Sequence, residues 1–567
     1  MSALSRARLL PAALTLSLAL ALPAGAATIT IVNTDGAGEG FNDPTPVTAV
    51  GGNPGTTIGA QRLYVFQYAA NVWGSILPSA IEIRVSAAFN SLACTATAGT
   101  LGATSAQGFY ANSPSFPYQG TLYPQALANK LSGLDNNASL DDMSITFNSD
   151  VDNQTCLGSA DWYYGVDGNE GTDIELLPVV LHEMAHGLGF TSQVASSGSF
   201  TGGLPSIYSK FLLDDSNGLH WDAMTNTQRA ASYINTGNVV WDGPAMNAQS
   251  QVYLDRQRLV TVTAPAAIAG PYRAGIATFG ADVTQPVVTA PVILADDGVA
   301  DLNTHNGCSP LINAAQLAGK IALIDRGGCT FLSKALAAQN AGAAGVIIAD
   351  TISTPIALDL GGTDPSVTIP AMGITMADAN LIKGQLGGGV TATMGGQHAV
   401  WLSGADNAGH TRIYAPNPVE SGSSISHFDR SAVPNLLMEP AITTSLYSQV
   451  DLTRHAFRDL GWFTGSTITA VPQSPTPDLQ LASAPNPFDG ATTVSFRLGN
   501  TGPIALDVYG VDGRHVRRLA KWAMPAGTHA FTWNGLDDDG RAAPPGVYLV
   551  RLDTQEGSWS GRVVRLR

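Results

Sequence analysis

The segment HEMAHGLGF, residues 182–190, constrains this chain more than any other stretch. In an α-helix residues four apart share a face, because 3.6 residues make a turn, so His182 and His186 point the same way. Two neutral imidazoles so placed can grip one Zn²⁺ at about 2.0–2.1 Å. Glu183, next to the first of them, is placed to act as a general base on water at the metal. Leu176, Leu177, Val180, Leu181 and Met184 give the helix apolar faces to bury. Thr172-Asp173-Ile174-Glu175 fits a capping box at its start, whereas Pro178, tolerable only in a first turn, favours a start near Leu177. Gly187 and Gly189 supply the freedom to end the helix and turn the chain.

A catalytic zinc needs three protein ligands and one open position, and the helix gives two. In the compact pattern HExxHxxGxxH a turn at the glycine brings a third histidine, but here that position holds Ser192, a poor zinc ligand. Either the site is degraded or the third ligand lies elsewhere, among His220, His305, His398, His410, His427, His455, His515 and His529. No cysteine has metal-site spacing. Because neutral imidazoles are required, activity is expected to fall as pH drops through the histidine range.

His427 stands in a distinctive context. Ser426-His427-Phe428-Asp429 precedes Asn435-Leu436-Leu437-Met438-Glu439-Pro440. Together with the HExxHxxGF helix, this resembles the leishmanolysin-like metzincin metallopeptidases. The resemblance implies an α+β catalytic domain, a twisted sheet plus the active-site helix. It also implies that His427 is the third zinc ligand, with His410 the next candidate, and that Met438 is the Met-turn residue beneath the metal. Residues 457–462, FRDLGW, resemble the closing helix of that family. The expected activity is that of a zinc endopeptidase with Glu183 as base, one catalytic ion and polypeptide substrates. The edge strand that binds substrate backbone is expected at Ser144 to Asp150, and Tyr447 is a candidate for steadying the oxyanion, its alternative role being packing. A cysteine switch is not expected.

His186 and His427 are 241 residues apart (427 − 186). Residues 257–398 fill most of that interval, and GKIALIDRGGCTF and NAGAAGVIIAD read as a βαβ unit. These stretches resemble the protease-associated (PA) domain, which implies an inserted α/β module. Loop-closure entropy grows slowly with length, so a folded insertion with adjacent ends is tolerable. Its expected role is to dock or restrict polypeptide substrates at the cleft; the alternative is a spacer.

The whole chain, 567 residues with 44% hydrophobic and 13% charged residues, is long enough for several cores. Its net charge of −16, from 28 basic and 44 acidic side chains, makes nucleic-acid binding unexpected. Arg6 and Arg8, the apolar run Leu9 to Leu22 and Ala24-Gly25-Ala26 read as an export signal over 1–26, and no later transmembrane segment is expected. The expected location is therefore secreted or extracellular, by bacterial-type export. Catalytic segments at 27–256 and 399–464 flank the insertion, and a Pro/Ser/Thr-rich linker follows at 465–483. Residues 28–33, 81–85 and 143–147 alternate as strands, and Leu63, Phe66, Ala70 and Trp73 recur at helical spacing.

Residues 484–567 read as an all-β Ig-like sandwich, with Val494/Phe496/Leu498, Ile504/Leu506/Val508, Phe531/Trp533 and Val547/Leu549 as its alternating strands. Ala484-Pro485-Asn486-Pro487-Phe488, Asp512-Gly513-Arg514 and Gly546-Val547-Tyr548 resemble FlgD-like Ig-fold and type IX sorting modules, which implies a link to secretion machinery or the cell surface. Asp537-Asp538-Asp539-Gly540 has the carboxylates of a Ca²⁺ loop, but nothing else supports that ion over a solvated turn. Four cysteines in an exported chain suggest two disulfides out of three pairings. Their distribution over two domains favours Cys94–Cys156 and Cys308–Cys329. A monomer is expected. The competing class is a non-catalytic secreted binding or adhesion protein with a structural zinc site, against which the retention of Glu183 argues.

Overall fold

The computed structural model describes residues 26–463 except 154, 300–302, 442–445 and 447–449. It also describes 481–566 except 487, 499–501, 511–513, 525–526, 539–540 and 555–556. Tyr447, Asp539 and Gly540, the export signal up to residue 25 and most of the linker lie outside them. The chain forms two compact units, Met1–Gly465 and Ser466–Arg567. No helix of the described residues is long and apolar enough to cross a membrane.

The first unit begins with a four-stranded sheet. β1 (Ile29–Asn33) leads through α1 (Ile58–Ile76) to β2 (Ile83–Asn90), β3 (Gly102–Ala106), α2 (Gln125–Ser132) and β4 (Met143–Asn148). The sheet order is β1-β2-β4-β3; the first three strands run parallel and β3 antiparallel to β4. The strand expected at the sheet edge, Ser144 to Asp150, is therefore internal, and Ser149 to Asp152 is a 3-10 turn. The edge is β3, whose small residues GATSA carry no apolar alternation to betray a strand. α1 buries Phe66, Ala70 and Trp73 as its spacing predicts, but Leu63 sits on the outer face, 41% exposed.

α3 (Leu176–Leu188) lies across this sheet and carries the HExxH residues. Its N-cap is Glu175, with no side-chain capping bond, so Thr172 does not start it. Pro178 falls in the first turn, where its missing N–H costs nothing. Leu176, Leu177, Val180, Leu181 and Met184 are all buried; at about 2 kcal/mol each they contribute on the order of 10 kcal/mol. The helix ends at Gly189, whose φ of 126° is open to glycine and strained for other residues.

The chain then enters the insertion. Seven strands from Arg256 to Leu402 close into a barrel with its own cores. The expected βαβ unit is one part of it: Ile321–Asp325, the helix Phe331–Asn340, and Gly345–Ala349 paired parallel to the first strand. The barrel's first and last strands pair antiparallel, with Arg256 opposite Leu402, so its ends are neighbours. After it the chain rejoins the first core and finishes in α4 (Thr453–Leu460). The Asp459 carboxylate accepts hydrogen bonds from the backbone N–H groups of Ala245 and Met246, at 2.8 and 3.1 Å, and so caps the helix Pro244–Tyr253.

The second unit is a sandwich of a three-stranded and a four-stranded antiparallel sheet around Val494, Phe496, Leu506, Val508 and Trp533. Its first strand begins at Ala482, inside the expected linker. In Gly546–Thr554 the expected inward residues, Val547 and Leu549, are 36% and 41% exposed. Both phases of that strand are apolar, and the one with Tyr548, Val550 and Leu552 puts more bulk inside. The Asp538 carboxylate is engaged by His515 and Arg517, at 3.3 and 3.9 Å, as a surface turn would have it.

Candidate metal centre

α3 aims the ring nitrogens of His182 and His186 at one point, and a segment 241 residues later supplies His427. The three Nε2 atoms stand 3.1, 3.1 and 3.3 Å apart. Each ring is fixed from behind by a backbone carbonyl: His182 Nδ1–H donates to Leu437 O, His186 Nδ1–H to Phe190 O and His427 Nδ1–H to Ser423 O, all at 2.7 Å. A carbonyl only accepts, so the hydrogen is on Nδ1 and every Nε2 presents a lone pair. Three lone pairs facing one another repel, unless a cation lies between them. Tetrahedral donors at zinc–nitrogen bond lengths stand about 3.3 Å apart, so the donor set fits that metal. Among the described residues it is the one group of His, Cys, Asp and Glu whose ligand atoms converge this closely.

Burial is the main cause that holds His182 down to about 3, His186 to about 4 and His427 well below the ordinary imidazole value. The three rings are therefore held in their neutral, lone-pair-bearing form well below the ordinary histidine range. His427 and His182 are buried, while His186 is partly exposed to the cleft.

The long detour to His427 is secured locally. Ser192, in the place of the compact motif's third histidine, donates its N–H to Ser426 Oγ at 3.0 Å. The returning segment thus lies alongside the turn after α3. Phe428 N–H donates to Met438 O, and Tyr414 N–H to His427 O. Met438 is fully buried in a turn that Glu439 closes, its Oε1 accepting Leu436 N–H at 2.9 Å. Asp451, two residues before α4, accepts Leu437 N–H at 2.5 Å and Thr453 N–H at 3.0 Å. Trp462 Nε1–H donates to Leu188 O at 2.9 Å, tying the end of the closing segment to the end of α3. His410 is not part of the triad; its Nδ1 pairs with Asp406 at 2.9 Å.

Glu183 faces the same cleft, which measures ≈ 760 Å³ and is also lined by residues 97–104 and 421–423. Thr104 of β3 donates its hydroxyl to Glu183 Oε2 at 2.8 Å. Burial pushes the Glu183 carboxyl up to about 7, with the Thr104 hydrogen bond pulling the other way. β3 comes so close that a Cβ at Gly102 would lie 2.8 Å from Glu183 Cγ, so a side chain there would displace the carboxylate. Gly102, Thr104 and Glu439 escape sequence reasoning, because no period or motif marks them. Cys94 and Cys156 are joined in a disulfide that tethers the strip before β3, and Cys308 and Cys329 form a second one in the barrel.

The profile of the PA domain matches residues 283–382, and that of the FlgD Ig-like domain matches 483–558. Among curated proteins, the ER degradation-enhancing alpha-mannosidase-like protein 3 of Homo sapiens is 46% identical over 77 residues, 14% of this chain and 8% of that protein. The probable leucine aminopeptidase 2 of Aspergillus fumigatus is 32% identical over 174 residues, 27% of this chain and 33% of that protein. The chain thus spans a third or less of the length of these relatives. A solved zinc aminopeptidase from Bacillus subtilis is similar at 24% identity and a TM-score of 0.18, over 27% of this chain and 35% of that one. The chain carries a PA domain within its first unit and a FlgD Ig-like domain at its C-terminal end.

Proposed function

We propose that this chain is an exported zinc endopeptidase of the leishmanolysin-like metzincin type, with His182, His186 and His427 as metal ligands, Glu183 as general base and Met438 as the Met-turn residue. The observation that carries the reading is the convergence of three carbonyl-anchored Nε2 lone pairs beside a buried, singly hydrogen-bonded carboxylate. A structural zinc site needs no such base, which weighs against a non-catalytic binding protein. The partial relatives named as aminopeptidases are consistent with a peptidase in general, and β3 residues Gly102 to Thr104 line the same cleft as the triad, where an extended substrate segment could lie.

When bound, zinc supplies the Lewis acid for peptide hydrolysis. β3 offers unpaired backbone groups to an extended substrate, which would join the sheet as an added strand. Glu183 then takes a proton from water in the cleft and returns it to the leaving amine nitrogen. Thr104 holds one oxygen of that carboxylate in place while the other works. The export signal and the FlgD Ig-like domain suit passage to the cell surface or beyond. Glu183→Gln should retain zinc and lose at least about a hundredfold in kcat on gelatin and on peptides blocked at the amino terminus. Wild-type turnover by Glu183→Gln would refute the mechanism, and cleavage of peptides only when their amino terminus is free would refute the endopeptidase reading.

A further inference from the structure

A second polar cavity lies in the first unit, where the barrel meets the segment that follows it. It measures ≈ 310 Å³, within the range of small-ligand sites. Two arginines reach it, Arg273 from the barrel strand Gly270–Ile276 and Arg412 from the segment behind His427. Arg273 is pinned: its Nη atoms donate to Gln257 Oε1, Leu402 O, Asp406 O and Asn407 Oδ1 at 3.0–3.2 Å. Its guanidinium also lies over the Trp401 ring, 4.9 Å from the centroid.

Arg412 differs. It is 6% exposed, and only its Nε has a partner, Gly237 O at 3.0 Å. Its two Nη atoms, with four N–H groups in a planar fork, have no side-chain or backbone hydrogen-bond partner among the described residues, although the carboxylates of Asp429, Asp406 and Asp215 act on its charge. A smaller cavity of ≈ 20 Å³ touches the same two arginines and has room for about one water. The rest of the fork faces the larger cavity, where solvent answers it until a ligand takes its place. The fork matches a carboxylate.

Opposite charge is present as well. Asp215 lines the cavity with an exposed carboxylate that acts on Arg412 and His410 through space but makes no side-chain hydrogen bond among the described residues. Asp378 lines it too, using one oxygen on the Thr375 hydroxyl at 2.8 Å and leaving the other free. A multiply charged anion such as phosphate would meet both carboxylates, whereas a ligand with a positive end would be held by them. We propose that this cavity binds a small zwitterion, an α-amino acid or a short peptide, with its carboxylate on the Arg412 fork and its ammonium group between Asp215 and Asp378. The site is separate from the metal triad and does not depend on the peptidase reading.

The test is calorimetric titration of the full chain carrying Glu183→Gln, so that no probe is turned over, with dialanine, N-acetyl-dialanine, dialanine amide and inorganic phosphate. Dialanine should bind saturably, and removing either terminal charge should weaken it at least tenfold. Asp215→Asn should weaken dialanine tenfold or more, and so should Arg412→Lys, which keeps the charge but loses the fork. Asp215 is exposed, so that variant remains informative if the buried one fails to fold. Absence of saturable binding, phosphate binding as tightly as dialanine, or unchanged dialanine affinity in Asp215→Asn would overturn the proposal.

Discussion

His427 is one of the three converging imidazoles, and besides its own Nδ1–H to Ser423 O its loop is held by groups other than the ring, among them Phe428 N–H to Met438 O, Tyr414 N–H to His427 O and Ser192 N–H to Ser426 Oγ. His427→Ala should therefore leave the fold intact but lower zinc content and abolish activity, as measured by metal analysis beside circular dichroism. Asp142 makes a different point. It is 3% exposed and accepts the Arg84 N–H and an Asn129 Nδ2–H, both at 2.9 Å, yet burial pushes its carboxyl up to about 6. A carboxyl raised in the folded state binds its proton more tightly there than in the unfolded chain. Its contribution is thus fully present below about pH 4 and is lost as pH rises toward 6. About two units correspond to about 3 kcal/mol. In urea titrations between pH 4 and 7, Asp142→Asn should gain stability relative to the parent as pH rises through that window. A constant difference between the two proteins would show that Asp142 does not titrate there.

Between residue and domain, the elements divide into those the sequence announces and those it conceals. α1 and α3 were legible because burial of one face at a 3.6-residue period leaves a pattern, and the HExxH spacing has meaning only on a helix. β3 was not, because Gly, Ala, Thr and Ser at an edge that must pass close to Glu183 are selected for smallness rather than for apolar alternation. Without β3, the next strand with a clear pattern, β4, took its place as the expected edge. The C-terminal strand Gly546–Thr554 failed in phase rather than in existence, since apolar residues on both faces leave the inward side to packing. β3 also depends on the disulfide that precedes it. Cys94–Cys156 closes a loop across 62 residues, and an open chain of that length regains entropy worth about 4 kcal/mol in the simple loop model. A Cys94→Ser, Cys156→Ser double variant should lose on the order of 2–4 kcal/mol in reversible unfolding. Because residues 97–104 line the cleft, KM for peptides should rise more than kcat falls.

At the scale of the whole chain, the long interval between the two parts of the proposed metal centre looks improbable until the cores are compared. Among the described residues, the core that holds α3, the Met438 turn and α4 draws on residues 27–254 and 402–462 and on none between, while the barrel buries two clusters of its own. The junction is narrow: Ser403 N–H donates to Asp255 O at 2.9 Å, and Arg256 stands opposite Leu402. The seam includes polar contacts, such as those of Arg273 with Asp406 and Asn407, that water can replace at little cost. Replacing residues 257–398 by a short glycine-rich turn should therefore leave a chain that folds, binds zinc and cleaves short blocked peptides within a few-fold of the parent. If the barrel docks or screens polypeptides, as a PA domain beside a cleft would, the same deletion should change the rate on folded protein substrates at least tenfold. Equal losses on peptides and proteins would mean that the insertion supports the fold, and no loss on either would make it a spacer.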